Sequence, residues 1–396
     1  MRQAVIVGSA RSPIGSFGGG LREVSAAELG GLVLREAQVR AKIEASQVDE
    51  VIMGCIGQVG EDAYIARRCA VNAGLPFTVP ALSVNRLCSS GLQAIVSASQ
   101  QIQSGQAEVI LAGGTENMSQ FPYYLRKGRW GHRLGHGTLE DGILLALTDP
   151  FTNLHMGITA ENVAEKCGIG RQEQDRFAWE SQQKAAVAVA EGRFQGQILP
   201  ILIPQPKGEP KTLNRDEHPR PDTSMERLAA LKPAFKPGGT VTPGNSSGIN
   251  DGAAAVALMS EELARRYSYP EYFLLRSTAA TALDPSLMGL GPVASIQKAL
   301  KLAGLALSEI ELVELNEAFA ATTLAVIKEL NLPAERVNVN GGAIALGHPV
   351  GATGCILAVK LMAEMSRRGS RLGLISLCVG GGQGLTAILE RISSQQ

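Results

Sequence analysis

Cys88, His348 and Cys378 are the residues of this chain best equipped for chemistry. Each stands in a turn rich in small residues: Asn85-Arg86-Leu87-Cys88-Ser89-Ser90-Gly91, Gly347-His348-Pro349-Val350-Gly351 and Cys378-Val379-Gly380-Gly381-Gly382-Gln383-Gly384. Glycine lets backbone approach a substrate closely and frees N–H groups to point at it. Two thiols with one imidazole suggest two jobs for sulfur, one as nucleophile and one as acid/base. Apolar Leu92, Ile95, Val96 and Ile102 after Cys88 have helical spacing. Cys88 is therefore expected at a helix N-terminus, where partial positive charge favours the thiolate. His348 can accept a proton near neutral pH. The glycines after Cys378, Gly380 among them, offer N–H donors for a developing oxyanion. Asn316, in Asn316-Glu317-Ala318-Phe319, could hold a water or an oxyanion. Plainer readings exist: most free cysteines are small buried hydrophobes, a turn histidine can bond backbone, and an asparagine can cap a helix.

These side chains need elements to position them, and the chain supplies the elements twice. Ser46-Gln47-Val48-Asp49-Glu50-Val51-Ile52-Met53 reads like Ser308-Glu309-Ile310-Glu311-Leu312-Val313-Glu314-Leu315. Each follows an amphipathic helix, near Ala26–Lys42 and Val293–Ala303, and enters an apolar strand. Val84-Asn85, a glycine turn, a helix, Ser104-Gly105 and the strand Val109–Ala112 form a second unit. Val339-Asn340, a glycine turn, a helix, Arg368-Gly369 and the strand Leu372–Leu377 repeat it. Alternating strands and helices imply parallel sheets covered by helices, here as two similar α/β halves. Cys88 lies in the first half, His348 and Cys378 in the second, so a shared cleft is the natural site. Between the halves, from about Ser119 to Asn245, runs a segment unlike either. It contains the basic loop Arg126–Arg133, two helices (from near Thr159 to Gly168, and about Gln172–Glu191), and a proline-rich charged stretch. It is too long for a connector and reads as a lid or ligand-binding unit.

Bulk properties exclude several functions. The 396 residues carry 37 basic and 37 acidic side chains, so no charge excess points to nucleic acid or an anionic membrane. Aromatics at 4% supply no base-stacking platform. No apolar run is long enough to span a bilayer. The six cysteines form no C-x-x-C pair, so no metal site is expected, and free thiols in a reducing compartment are the simplest reading. The cytoplasm is the expected location, although a matured organellar protein would look alike. Neither a dinucleotide fingerprint nor a phosphate loop occurs, so NAD and ATP are not expected.

Taken together, Arg11-Ser12-Pro13-Ile14-Gly15, Asn85 to Gly91, His155-Met156-Gly157, Gly244-Asn245-Ser246-Ser247-Gly248, Asn316 to Ala320, Gly347-His348-Pro349 and Cys378 to Gly384 resemble the thiolases over essentially the whole chain. Within that family the likeness is to the members that condense two acetyl-CoA into acetoacetyl-CoA. The resemblance implies the α/β thiolase fold, with five-stranded halves, helices sandwiched between the sheets and an inserted loop domain. The implied domains are residues 1–118 with 246–268, the insertion 119–245, and 269–396. Cys88 would be acylated, with His348 taking its proton. Cys378 would remove the α-proton of a second acetyl-CoA. His348 with a water on Asn316 would steady the thioester oxyanion, and N–H groups at Cys88 and Gly380 the tetrahedral one. Coenzyme A would be a substrate, with no tightly bound cofactor. It would meet Arg220 at its adenine end and Ser247 along the pantetheine arm. Phe235, Met156, His155 and Phe319 would line the tunnel, and Met288 the acyl pocket. The basic loop resembles a tetramerisation loop, which implies a homo-oligomer, most simply a tetramer. A broad-range degradative 3-ketoacyl-CoA thiolase is the alternative; His155-Met156 and the basic loop favour the first reading. A decarboxylating ketoacyl synthase would not need Cys378, and a passive acyl-CoA binder would not need all four reactive residues. The Gln120-Phe121-Pro122-Tyr123-Tyr124 run is bulkier than the family pattern, and Cys355 is an extra thiol.

Overall fold

The computed structural model describes residues 2–205 and 208–393. Met1, Pro206, Lys207 and residues 394–396 lie outside the described residues, and with them small parts of the expected halves and of the proline-rich stretch. The first half contributes β1 (Ala4–Arg11), β2 (Glu50–Gly54), β3 (Ala81–Val84), β4 (Val109–Asn117) and β5 (Asn250–Ser260). The second contributes β6 (Glu271–Ala282), β7 (Leu312–Leu315), β8 (Leu372–Val379) and β9 (Gln383–Ser393). They lie side by side in the order β7-β8-β9-β6-β1-β5-β4-β2-β3. The halves meet edge to edge where Val5 pairs with Leu274 and Ile6 with Phe273.

The repeat holds to the level of single hydrogen bonds. Asp49 Oδ2 accepts the N–H groups of Glu108 and Val109 and so sets the start of β4. Glu311 Oε1 accepts those of Arg371 and Leu372 and does the same for β8. The fifth strand of the second half shrinks to a single bridge between Val313 and Val337. The chain turns away at Asn338, with φ of 46°, and its side-chain amide takes over the ladder. It accepts from Leu315 N–H at 2.9 Å and donates to Leu315 C=O at 2.8 Å.

Among the described residues the parallel ladders lie toward the two outer ends of this order, β2 with β3 and β4, and β7 with β8. The expectation of parallel sheets is corrected here: β5 and β9 run back antiparallel to their neighbours. The Gly380–Gly382 connection between β8 and β9 is far too short for a crossover and permits only a hairpin. Gly381 and Gly382 take φ of 75° and 76°, which a side chain would resist.

Helices α1 (Ala26–Arg40) and α5 (Gly291–Ala303) cover the outer faces of the two halves, α3 (Met156–Cys167) and α4 (Arg171–Ala190) lie in the expected insertion, and α6 (Ala320–Leu330) follows β7. Helices α2 (Ser90–Gln103) and α7 (Val350–Arg368) fill the layer between, in one apolar core that includes strands of both halves. α7 is buried nearly all round. α2 and α7 cross on glycine: a Cβ on Gly91 would lie 2.9 Å from Cys355 N, and one on Gly354 2.5 Å from Leu92 N. Such contact brings both helix N-termini, and the residues before them, to one place. Cys355 is buried in this core, beyond the reach of a substrate.

Candidate active site

Cys88 sits in a single 3-10 turn, Leu87–Ser89, immediately before α2. The turn is strained: Leu87 has φ of 45°, a conformation uncommon for a residue with a side chain. Neighbouring side chains hold it there. Ser90 Oγ donates to Leu87 C=O at 2.7 Å and accepts from Arg86 N–H at 2.9 Å. Asn85 Oδ1 accepts from Leu87 N–H at 3.0 Å. The Cys88 sulfur meets its own backbone N–H and that of Gly380. Burial pushes the thiol up to about 11, and those two amides pull in the other direction. The expectation that the helix terminus favours the thiolate is therefore corrected: desolvation outweighs it, and a nucleophilic Cys88 would call for a base. A Cβ on Gly380 would stand 3.0 Å from Leu87 Cδ1, so a larger residue there would press on the Leu87 side chain.

His348 is buried on the approach to α7, and its N–H donates to Asn250 Oδ1 at 2.9 Å. Nδ1 lies 2.6 Å from Thr353 Oγ1, and Nε2 lies 3.5 Å from Asn316 Nδ2. Burial lowers the imidazole to about 4, so at neutral pH it is uncharged and free to take a proton.

Asn316 follows β7, anchored by its N–H to Ser376 C=O at 3.0 Å. Its Oδ1 is buried and has no hydrogen-bond partner among the described residues. A buried acceptor of this kind is satisfied by a water or a substrate donor. Cys378 is buried near the end of β8, close enough to Cys88 that each charge would disfavour the other; burial is the larger cause raising its thiol. The first half thus brings Cys88, and the second brings His348, Asn316, Cys378 and Gly380, to one spot. Such an assembly can acylate one sulfur and move a proton on the other.

Comparison with known proteins identifies the family. Residues 4–262 match the thiolase N-terminal domain and residues 271–391 the thiolase C-terminal domain. This chain belongs to the thiolase family. An acetyl-CoA acetyltransferase of Pseudomonas aeruginosa is 50% identical over 392 residues, covering 99% of this chain and 100% of that protein. The crystal structure of the Bacillus anthracis acetyl-CoA acetyltransferase superposes with a TM-score of 0.97 at 46% identity, over 99% of both chains. That of human mitochondrial 3-ketoacyl-CoA thiolase in complex with CoA gives 0.94 at 42% identity, over 99% of this chain and 98% of the other.

Met156, Met288, Ala318 and Phe319 pack with Cys378 in one buried apolar cluster, against which Phe235 rests. His155 stacks on Phe235 with ring centroids 5.0 Å apart, and Phe235 meets Phe319 edge-on at 6.1 Å. Ser247 lies beside this wall, its N–H donating to Ala318 C=O at 2.9 Å. Arg220 stands elsewhere, lining a cavity of about 280 Å³ with His218, Gln182, Leu231 and Gly244. Gln182 joins that cavity to the histidine loop, accepting from Arg220 N–H at 2.9 Å and donating to Ile344 C=O at 3.3 Å. Sequence reasoning missed Thr353 and Leu87. Thr353 follows His348 by little more than one helical turn, a spacing that hints at contact, but nothing in the sequence marks Leu87 as left-handed.

Proposed function

We propose that this thiolase is an acetyl-CoA C-acetyltransferase, an acyltransferase that reversibly condenses two acetyl-CoA into acetoacetyl-CoA and CoA. The observation that carries the reading is the pairing of two thiols, Cys88 and Cys378, the first of which also meets the amide of Gly380. One thiol would suffice for simple acyl transfer; a second, buried beside the first, suits a reaction that must also move a carbon-bound proton.

In this reading His348 Nε2 takes the Cys88 proton as sulfur attacks the thioester carbonyl. The N–H groups of Cys88 and Gly380 hold the tetrahedral oxyanion, and CoA leaves as its sulfur regains a proton. Cys378 is a thiol at rest, so it becomes a base only by giving up its proton. The departing CoA sulfur, anionic as it leaves, is the group that takes it. The Cys378 thiolate then removes an α-proton from the second acetyl-CoA. Protonated His348, with a water on Asn316 Oδ1, holds the enolate oxygen. The enolate carbon attacks the acetyl group, Cys88 sulfur leaves, and His348 returns its proton. Read backwards, the same steps give thiolysis.

Coenzyme A enters as substrate, and no tightly bound cofactor is needed. The insertion 119–245 carries most of its site, with Arg220 in the nucleotide cavity and Ser247 beside the pantetheine arm. His155, Met156, Phe235 and Phe319 form the tunnel, and Met288 closes the acyl end. The loop Arg126–Arg133, with Trp130 and Leu134 almost fully exposed, suits assembly into a tetramer. Among the described residues no helix is long and apolar enough to cross a membrane; the cytoplasm is the proposed location.

Thiolysis of 3-ketoacyl-CoA substrates from four to sixteen carbons tests the assignment. A rate confined to acetoacetyl-CoA supports it. Comparable rates on long chains would move the enzyme to broad-range degradation, and no rate on any chain would point to a passive binder.

A further inference from the structure

Glu116 is a buried carboxylate that the proposed reaction does not use. It lies on β4 with no exposure to solvent. Oε2 accepts the N–H of Ile56 at 3.0 Å and of Gly351 at 2.8 Å. Oε1 accepts the N–H of Gly57 at 2.9 Å and the thiol of Cys55 at 3.4 Å. Glycine is what admits the backbone here. A Cβ on Gly351 would stand 2.4 Å from Oε2, and one on Gly57 3.0 Å from Oε1.

The partners of this one side chain come from both halves. Gly351 lies in the first turn of α7, just after His348-Pro349, and its N–H is one that the helix itself cannot satisfy. Ile56 packs with Val350 in the apolar cluster that Cys88 joins. Burial pushes the Glu116 carboxyl up to about 7 against the pull of its N–H donors. Packing alone would be met more easily by an apolar side chain of this size, so the retained carboxylate points to a geometric task.

We propose that Glu116 is a positioning residue for the reaction, fixing the His348 helix of the second half against the wall beside Cys88 in the first. The proposal rests on reading Cys88 as nucleophile and His348 as its base. Proton transfer between them needs hydrogen-bond geometry, and a shift of about 1 Å between such groups can cost ~100-fold in rate. Glu116 touches neither reacting atom; it sets the distance between the elements that carry them.

Glu116→Gln tests this. It keeps shape and length but turns an NH₂ toward at least one of the N–H donors. The measurement is acetoacetyl-CoA thiolysis, with active sites counted by the thiol that iodoacetamide alkylates and acetyl-CoA protects. The expected result is a kcat per titrated site about 10- to 100-fold lower, with KM within about twofold of wild type. A merely structural role would lower the titrated fraction and leave kcat per site unchanged, which would overturn the proposal. Should this variant not fold, Cys55→Ala removes one donor from Oε1 and Cys55→Ser restores one. The alanine variant is expected to lose roughly two- to fivefold in kcat and the serine variant to recover most of it; equal rates would overturn the proposal. An inactive wild-type enzyme would overturn the functional reading, and this proposal with it.

Discussion

The hydroxyl of Thr353 lies 2.6 Å from His348 Nδ1 while donating its only proton to Pro349 C=O at 2.8 Å. In that arrangement it accepts from the imidazole. Nδ1 carries the hydrogen, and Nε2, the nitrogen facing Asn316, keeps its lone pair. Thr353 thus selects the tautomer that a general base requires. Thr353→Val should leave an unsatisfied N–H on the ring and release the tautomer. We expect kcat/KM for acetoacetyl-CoA thiolysis to fall about 10- to 100-fold, with Thr353→Ser recovering most of it. Wild-type activity in the valine variant would refute the assignment.

Burial moves the two partners of the proposed first proton transfer in opposite directions, Cys88 up to about 11 and His348 down to about 4. Both shifts disfavour a resting thiolate–imidazolium pair. Alkylation of Cys88 by iodoacetamide should accordingly rise with pH beyond pH 9. A plateau already reached below pH 8 would show that the ion pair exists before substrate arrives.

The same groups make a stability prediction with a definite sign. His348 and His218 both fall from 6.5 to about 4 on folding, chiefly by burial. The unfolded chain binds more protons between those values, so their contribution is lost as pH falls through that window. Glu116 moves the other way, from 4.5 to about 7. It opposes folding at neutral pH and ceases to do so as pH falls toward 4.5. The two effects offset each other in the wild-type protein. Urea unfolding of Glu116→Gln between pH 6.5 and 4.5 should therefore show a steeper acid loss than wild type. A shallower loss would mean that the signs are wrong.

The sequence carried the repeat plainly because Asp49 and Glu311 do the same backbone work in the two copies. The candidate residues stood out because two cysteines and a histidine recur in glycine turns of the two halves, although each alone has a plainer reading. What stayed hidden depends on desolvation and on direction. Cys88 looks activated from its place before a helix, yet desolvation of the thiol reverses that expectation. Strand direction was misread because alternation of strands and helices does not reveal the hairpin that Gly380–Gly382 imposes. Glu116 gave no signal, since its partners lie on segments remote in sequence and offer only backbone N–H groups and one thiol.

Cys378→Ser separates the two halves of the proposed reaction. Serine keeps the shape, but a hydroxyl is a far weaker acid than a thiol and cannot supply the base. The variant should still transfer an acetyl group from acetyl-CoA to Cys88, detectable as a mass increase on the Cys88 peptide. Acetoacetyl-CoA formation should drop by at least about 100-fold. Condensation at the wild-type rate would remove Cys378 from the mechanism.

Beneath the histidine loop lies a buried ion pair whose loss should be felt in both stability and rate. Lys360 Nζ donates to Glu314 Oε2 at 2.8 Å and to Gly341 C=O at 2.8 Å, with both side chains almost wholly buried. Burial raises the Glu314 carboxyl; Lys360 opposes that shift, while Glu317 and Glu364 add to it. Lys360→Met would leave this carboxylate among like charges with no cation against it. Breaking one side of such a pair costs about 3–5 kcal/mol, which urea unfolding can measure. Removing both charges, as Lys360→Met with Glu314→Gln, should restore at least about half of that loss, because the uncompensated charge goes too. The double variant still lacks the bond to Gly341, where the His348 loop begins. Its kcat should therefore stay below wild type even where its stability recovers. Full recovery of both would mean that Lys360 serves only to neutralise Glu314, and a single-variant loss under about 1 kcal/mol would mean that the pair is open to water.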